Sequence, residues 1–208
     1  LRRRQSGLAD CERGDGERPG EWGNAHYHNS FLLADPREAW LLETAGPYWL
    51  ARRITNGVFS VSNIYTIETE WDEAHPDTVA HAVHMGWSRS TSEFNFARDY
   101  GDYWHRDAKP PGAMQVRRNT TLHCLLCDAG RVTPETMMDI ARNHMEGTDM
   151  APRWGAADSF WPTPCLHDSP ANPYHTAGSM IAHLRVEEPV YWASFSNPCT
   201  SVFENEAQ

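Results

Sequence analysis

A chain of 208 residues, 40% hydrophobic and 22% charged, has room for one well-buried core or two small ones and is too apolar for a disordered polymer. Its 28 acidic residues outnumber 18 basic ones, so a formal charge of −10 repels nucleic acid and anionic lipid, and neither is expected as a partner. No run approaches the roughly 18 apolar residues of a membrane helix, and five cysteines at scattered spacings read as reduced thiols of a cytoplasmic protein.

Residues 1–23 mix charges with Gly7, Gly14, Gly16, Pro19, Gly20 and Gly23 and predict an irregular segment. From Ser30 the pattern changes. SFLLAD, EAWLLET and PYWLARR are short apolar runs separated by Asp35-Pro36 and Gly46-Pro47, and GVFSVSNIYTI follows the turn dipeptide Asn56-Gly57; together they predict a four-stranded antiparallel meander. Val79, Ala80 and Val83 predict a helix over 76–85, ended by Gly86, and Phe94, Ala97, then Tyr100 or Tyr103, and Trp104 predict another over 94–104. Thr133-Pro134-Glu135 is a strong helix start, continued by the stripe Met137, Met138, Ile140, Ala141 and His144. Residues 149–173 read as a long irregular connection packed down by Trp154, Phe160 and Trp161. The runs TAGSMIAHL, PVYWASFS and CTSVF then return to strand pattern. Strands, then helices, then strands predict an α+β architecture with antiparallel sheets rather than a parallel sheet.

Few short motifs carry chemistry. Cys124-Leu125-Leu126-Cys127, flanked by His123, and Cys165-Leu166-His167 have the spacing of metal ligand pairs, and a zinc module built on Cys124, Cys127, Cys165 and Cys199 is one reading. The paired leucines favour the other, an apolar core stretch with buried thiols. His26-Tyr27-His28 near Asp35 lacks helical ligand spacing and reads as strand or surface histidines. The chain has no G-x-S-x-G elbow, no phosphate-binding loop and no dinucleotide fingerprint. Asn63, at the end of the VSN run, is an amide placed to donate to a developing oxyanion or to make a turn, and Arg117-Arg118 is a cationic pair ahead of Asn119-Thr120-Thr121.

In order, NSFLLADPREAWLLETAG, GVFSVSN, RRNTT, the Thr-Pro-capped helix, CLH, HTAGSM and PCTSVF resemble the C-terminal portion of secernins and related cysteine-nucleophile dipeptidases. The resemblance runs from about Asn24 to about Phe203, so residues 24–208 are expected to be the C-terminal portion of such a domain. It implies a four-layer αββα sandwich of the N-terminal-nucleophile class and a dipeptidase-like amidohydrolase. In that class the first residue of the mature chain is a cysteine whose thiolate attacks the amide carbonyl while its α-amino group serves as base. By the same resemblance Asn63 supplies an oxyanion-hole amide and Arg118 is the active-site arginine, with Arg117 the competing position. The family's cysteine start has no counterpart in residues 1–23, and Cys11, followed by Glu12-Arg13, is not its equivalent. The nucleophile is therefore expected outside this chain. The resemblance implies a small peptide or amide substrate and no cofactor; self-association is compatible with it. The alternative it carries is a non-catalytic interaction protein of regulated exocytosis.

Overall fold

The structure is a computed structural model describing residues 17–18, 25–26, 29–101, 112–154, 162–170 and 173–205. The expectations for Cys11, His28, Phe160, Trp161 and the last residues of the 94–104 helix lie outside the described residues. The chain is a mixed α and β protein whose sheets are all antiparallel, and it divides into two compact units: residues 1–55 with 61–108, and residues 56–60 with 109–208.

In the first unit the apolar runs form strands as their alternation requires. β1 (Glu17–Arg18) and β2 (Ala25–His26) make a small two-stranded ladder. β3 (Asn29–Ala34), β4 (Ala39–Ala45) and β5 (Tyr48–Ile54) form a meander with Leu32 opposite Leu41 and Leu42 opposite Ala51. Along β4 the residues Leu41, Glu43 and Ala45 face inward, two apart, which is the period of a half-buried strand. The Asp35 carboxylate accepts the Arg37 and Glu38 amides at 2.7 and 2.9 Å to turn the first hairpin. Gly46, at φ +59°, opens the two-residue loop of the second, a backbone that a side chain would strain.

The fourth strand differs from expectation. The GVFSVSNIYTI run forms no ladder, only an isolated bridge between Ser62 and Ile64, and the fourth strand is instead β6 (Glu73–Ala74) against β5. The cause is a buried carboxylate: Glu43 accepts the backbone amides of Thr66 and Ile67 at 2.7 to 3.0 Å and the Thr66 hydroxyl at 2.8 Å, taking donors that a ladder would have used. Past that point the Ile67 and Glu68 carbonyls accept from Ala97 and Phe96.

Helix α1 (Thr78–His84) ends as its sequence predicts. Gly86, at φ +70°, donates to Val83 O while Trp87 donates to Ala82 O, the paired bonds of a Schellman turn. Within 94–104 the described helix is only α2 (Phe96–Asp99), capped by Asn95 through Arg98 N. Leu41, Leu50, Ile67 and Phe96 are among the fully buried side chains of this core. Beside them Tyr48 stacks on His81, with ring centroids 4.2 Å apart and a 2.9 Å bond from its hydroxyl to His81 Nδ1.

In the second unit, α3 (Ala113–Cys127) falls where the sequence predicted only a cationic pair and an apolar run. Its β-branched Val116, Thr120 and Thr121 and its glycine N-cap, which has no capping side chain, hide it from sequence reading. Leu125 is buried as expected of a core stretch, but Leu126 on the helix surface is 57% exposed, so HCLLC is core on one side only. α4 (Pro134–Ala141) begins at the expected Thr133, whose hydroxyl and that of Thr136 form a capping box. α4 lies against β7 (Ser179–His183), which pairs with β8 (Val190–Ser194) and through it β9 (Glu204–Asn205). The expected CTSVF strand is a turn, with Thr200 N bonded to Asn197 O, and β9 starts after it. Among the described residues no helix is long and apolar enough to cross a membrane.

Candidate metal centre and the predicted catalytic positions

The two predicted catalytic residues fall in different units. Asn63, in the first, is exposed at the tip of the turn closed by the Ser62–Ile64 bridge, not at a strand end. Arg118, in the second, is half-buried on α3 and donates from Nε to Ser60 O at 3.0 Å. Arg117, one residue along the helix and therefore about 100° round it, turns its guanidinium onto Met114 Sδ at 2.7 Å, and burial pulls its pKa below the ordinary arginine value. The two arginines therefore have separate surroundings.

Of the predicted metal-like pairs, Cys124 and Cys127 sit on the last turn of α3, where Cys127 Sγ is 3.7 Å from His123 Nε2 and burial pushes the Cys124 thiol up. Asp35 is a turn residue, as its bonds to Arg37 and Glu38 show.

What the structure gathers instead is His144, Cys165, His167 and Cys199, whose ligand-capable atoms all lie within 4.8 Å of one another. His144 sits past the end of α4 in a turn held by Asn143, whose side chain accepts Met145 N at 2.8 Å; Met145 itself takes φ +64°. The next segment is tied to this turn by Cys165 N donating to Asn143 O at 3.1 Å, and the Thr163 hydroxyl holds Cys165 O at 2.6 Å. Thr176 brackets Leu166 from both sides, accepting its amide and donating to its carbonyl. The Asn197 amide donates to Leu166 O at 2.6 Å, and Arg142 Nε donates to Pro198 O at 3.1 Å, which bring in the segment carrying Cys199. Backbone bonds, side-chain caps and one left-handed residue thus aim four side chains at a single point.

Cys165 is fully buried, His144 and His167 nearly so, and Cys199 half-buried. His167 Nε2 is 3.0 Å from His144 Nε2, 3.4 Å from Cys165 Sγ and 3.2 Å from Cys199 Sγ. The far nitrogen of His144, Nδ1, bonds Glu146 Oε1 at 2.9 Å, and Glu146 Oε2 accepts His144 N. Burial alone would raise the Glu146 carboxyl, but hydrogen bonds from its own backbone and from His144 outweigh it and hold the group below its usual value. Burial pushes the Cys165 thiol up to about 12 and pulls His167 below its ordinary value. Trp154 stands edge-on to both rings, centroids 5.2 and 4.7 Å away, although it is 63% exposed and less packed down than the sequence predicted.

Cys165 is fully buried, where a substrate carbonyl has no approach to its thiol. Two sulfurs and two ring nitrogens around one point are instead the donor set of a tetrahedral metal. The zinc reading of the sequence joins Cys165 and Cys199 to Cys124 and Cys127, whereas the structure places them with His144 and His167. The usable signal was Cys165-x-His167 together with distant His144 and Cys199. No protein-family model and no solved structure matches the chain.

Proposed function

We propose that this chain is part of a dipeptidase-like amidohydrolase of the N-terminal-nucleophile class, with a cysteine outside the chain as nucleophile. The observation that carries the reading is the ordered series of seven sequence blocks from NSFLLADPREAWLLETAG to PCTSVF. The antiparallel mixed α and β architecture is compatible with an αββα sandwich. Further support comes from β3, which pairs only with β4 among the described residues and leaves Phe31, Leu32 and Leu33 about half exposed, the finish of a strand that expects another neighbour.

In this reading the cysteine thiolate adds to the amide carbonyl, its α-amino group takes up and returns the proton, and water releases the acyl-enzyme. The Asn63 side-chain amide, exposed at its turn, donates to the oxyanion that develops on that carbonyl. Arg118, fixed at Nε by Ser60 O, is the active-site arginine by the resemblance alone. The same β3 edge favours a second reading, a non-catalytic interaction protein of regulated exocytosis.

The deciding experiment compares hydrolysis of a dipeptide panel by this chain and by a version extended upstream in its native reading frame. Activity confined to the extended form, and reduced about 100-fold to 1000-fold by Asn63→Ala, is the expected result. A folded extended form without activity moves the assignment to the interaction protein.

A further inference from the structure

Three polar atoms converge on His167 Nε2 at 3.0, 3.4 and 3.2 Å. A ring nitrogen has one proton or one lone pair, so it makes one hydrogen bond of this kind and not three. A His167 Nε2–H donated to His144 Nε2 leaves both sulfurs crowded against the same nitrogen with only weak thiol hydrogen bonds, and such a buried cluster is costly. A cation at the centre removes the conflict, because each atom then directs its lone pair inward.

We propose that His144 Nε2, Cys165 Sγ, His167 Nε2 and Cys199 Sγ hold one zinc ion as a structural centre of the second unit. Zinc bonds of about 2.0 to 2.1 Å to nitrogen and about 2.3 Å to sulfur give a tetrahedron with edges of about 3.3 to 3.8 Å. The cluster's separations, from 3.0 Å upward and all within 4.8 Å, bracket that size. The Glu146–His144 bond is the carboxylate-to-imidazole contact that usually stands behind a histidine ligand, fixing Nδ1 as the protonated nitrogen and leaving Nε2 for the metal. Two thiolates and two imidazoles select zinc over the harder magnesium or calcium. All four positions come from the protein, so the site is closed and its role is to hold structure rather than to activate water. The assignment stands independently of the amidohydrolase reading, since none of the four ligands is a catalytic position in it.

The test uses the whole chain expressed with zinc supplementation. Metal analysis of the wild-type protein is expected to find about one equivalent of zinc. Replacement by cobalt(II) is expected to give the intense visible bands of tetrahedral coordination with a thiolate charge-transfer band. Cys165→Ser and Cys199→Ser should each abolish that thiolate-rich spectrum, whereas Cys124→Ser and Cys127→Ser should leave it unchanged. Glu146→Gln should retain the spectrum and weaken affinity about 10-fold to 100-fold. Less than about a tenth of an equivalent of zinc in folded wild-type protein, with no cobalt spectrum, overturns the assignment. So does a Cys165–Cys199 disulfide found by mass spectrometry of the unreduced protein, or loss of the spectrum in Cys124→Ser. The wild-type arms do not depend on any variant folding.

Discussion

Glu43 shows how one residue can redirect a chain. Buried completely on β4, it accepts from Thr66 N, Ile67 N, the Thr66 hydroxyl and, at 3.4 Å, the Ser30 hydroxyl. Burial raises its pKa, and these hydrogen bonds offset only part of the rise. A raised carboxyl contributes stability that is fully present below the unfolded value of 4.5 and is lost as pH rises through the higher folded value. Glu43→Gln does not titrate, and whichever oxygen becomes an amide turns a donor toward Thr66 N or Ile67 N. The substitution is therefore expected to cost about 1 to 3 kcal/mol at neutral pH. Urea denaturation of both proteins should show the gap widening as pH falls toward 4.5. A gap that narrows would mean that the carboxylate, not the acid, is the favoured form in the fold. The same residue explains why the end of the GVFSVSNIYTI run reads as a strand and is not one: alternation is visible in sequence, but a carboxylate arriving from twenty-odd positions upstream is not.

Among elements, α1 and α4 were legible because their ends are written in local chemistry, Gly86 at one and Thr133-Pro134 at the other. The β3–β5 meander was legible from its turn dipeptides. α3 was not, since its interior carries threonines and its start has no capping side chain, so its helicity comes from packing of the whole unit rather than from propensity. The edge strand β3 makes its own prediction. With Phe31, Leu32 and Leu33 at 48%, 51% and 55% exposure on a strand that among the described residues pairs only with β4, concentrated protein should self-associate through strand addition. Leu32→Lys is expected to shift sedimentation velocity profiles toward monomer while leaving circular dichroism unchanged. An unaltered distribution would place the association elsewhere.

For the molecule as a whole, the two units differ in what holds them. The first buries Leu41, Leu50, Ile67 and Phe96 completely, whereas the second, among the described residues, combines the less deeply buried Leu125, Ile140, Ile181 and Phe203 with the histidine and cysteine cluster. Chelation is therefore expected to remove hydrogen-exchange protection from residues 112–154 and 173–205 while sparing β4 and β5. Equal loss in both units would mean that the cluster does not act as a local fastening. The cluster was illegible as a motif because its ligands lie on three segments that are distant in the chain, and only the assembled turns around Asn143, Leu166 and Asn197 bring them together. That spacing also gives the centre a history in time. During synthesis the ligands emerge in the order His144, Cys165, His167, Cys199, and the last follows the third by 32 residues. At ordinary translation rates the nascent chain thus carries a three-ligand, open-sided site for roughly 2 to 6 s before the final thiol seals it.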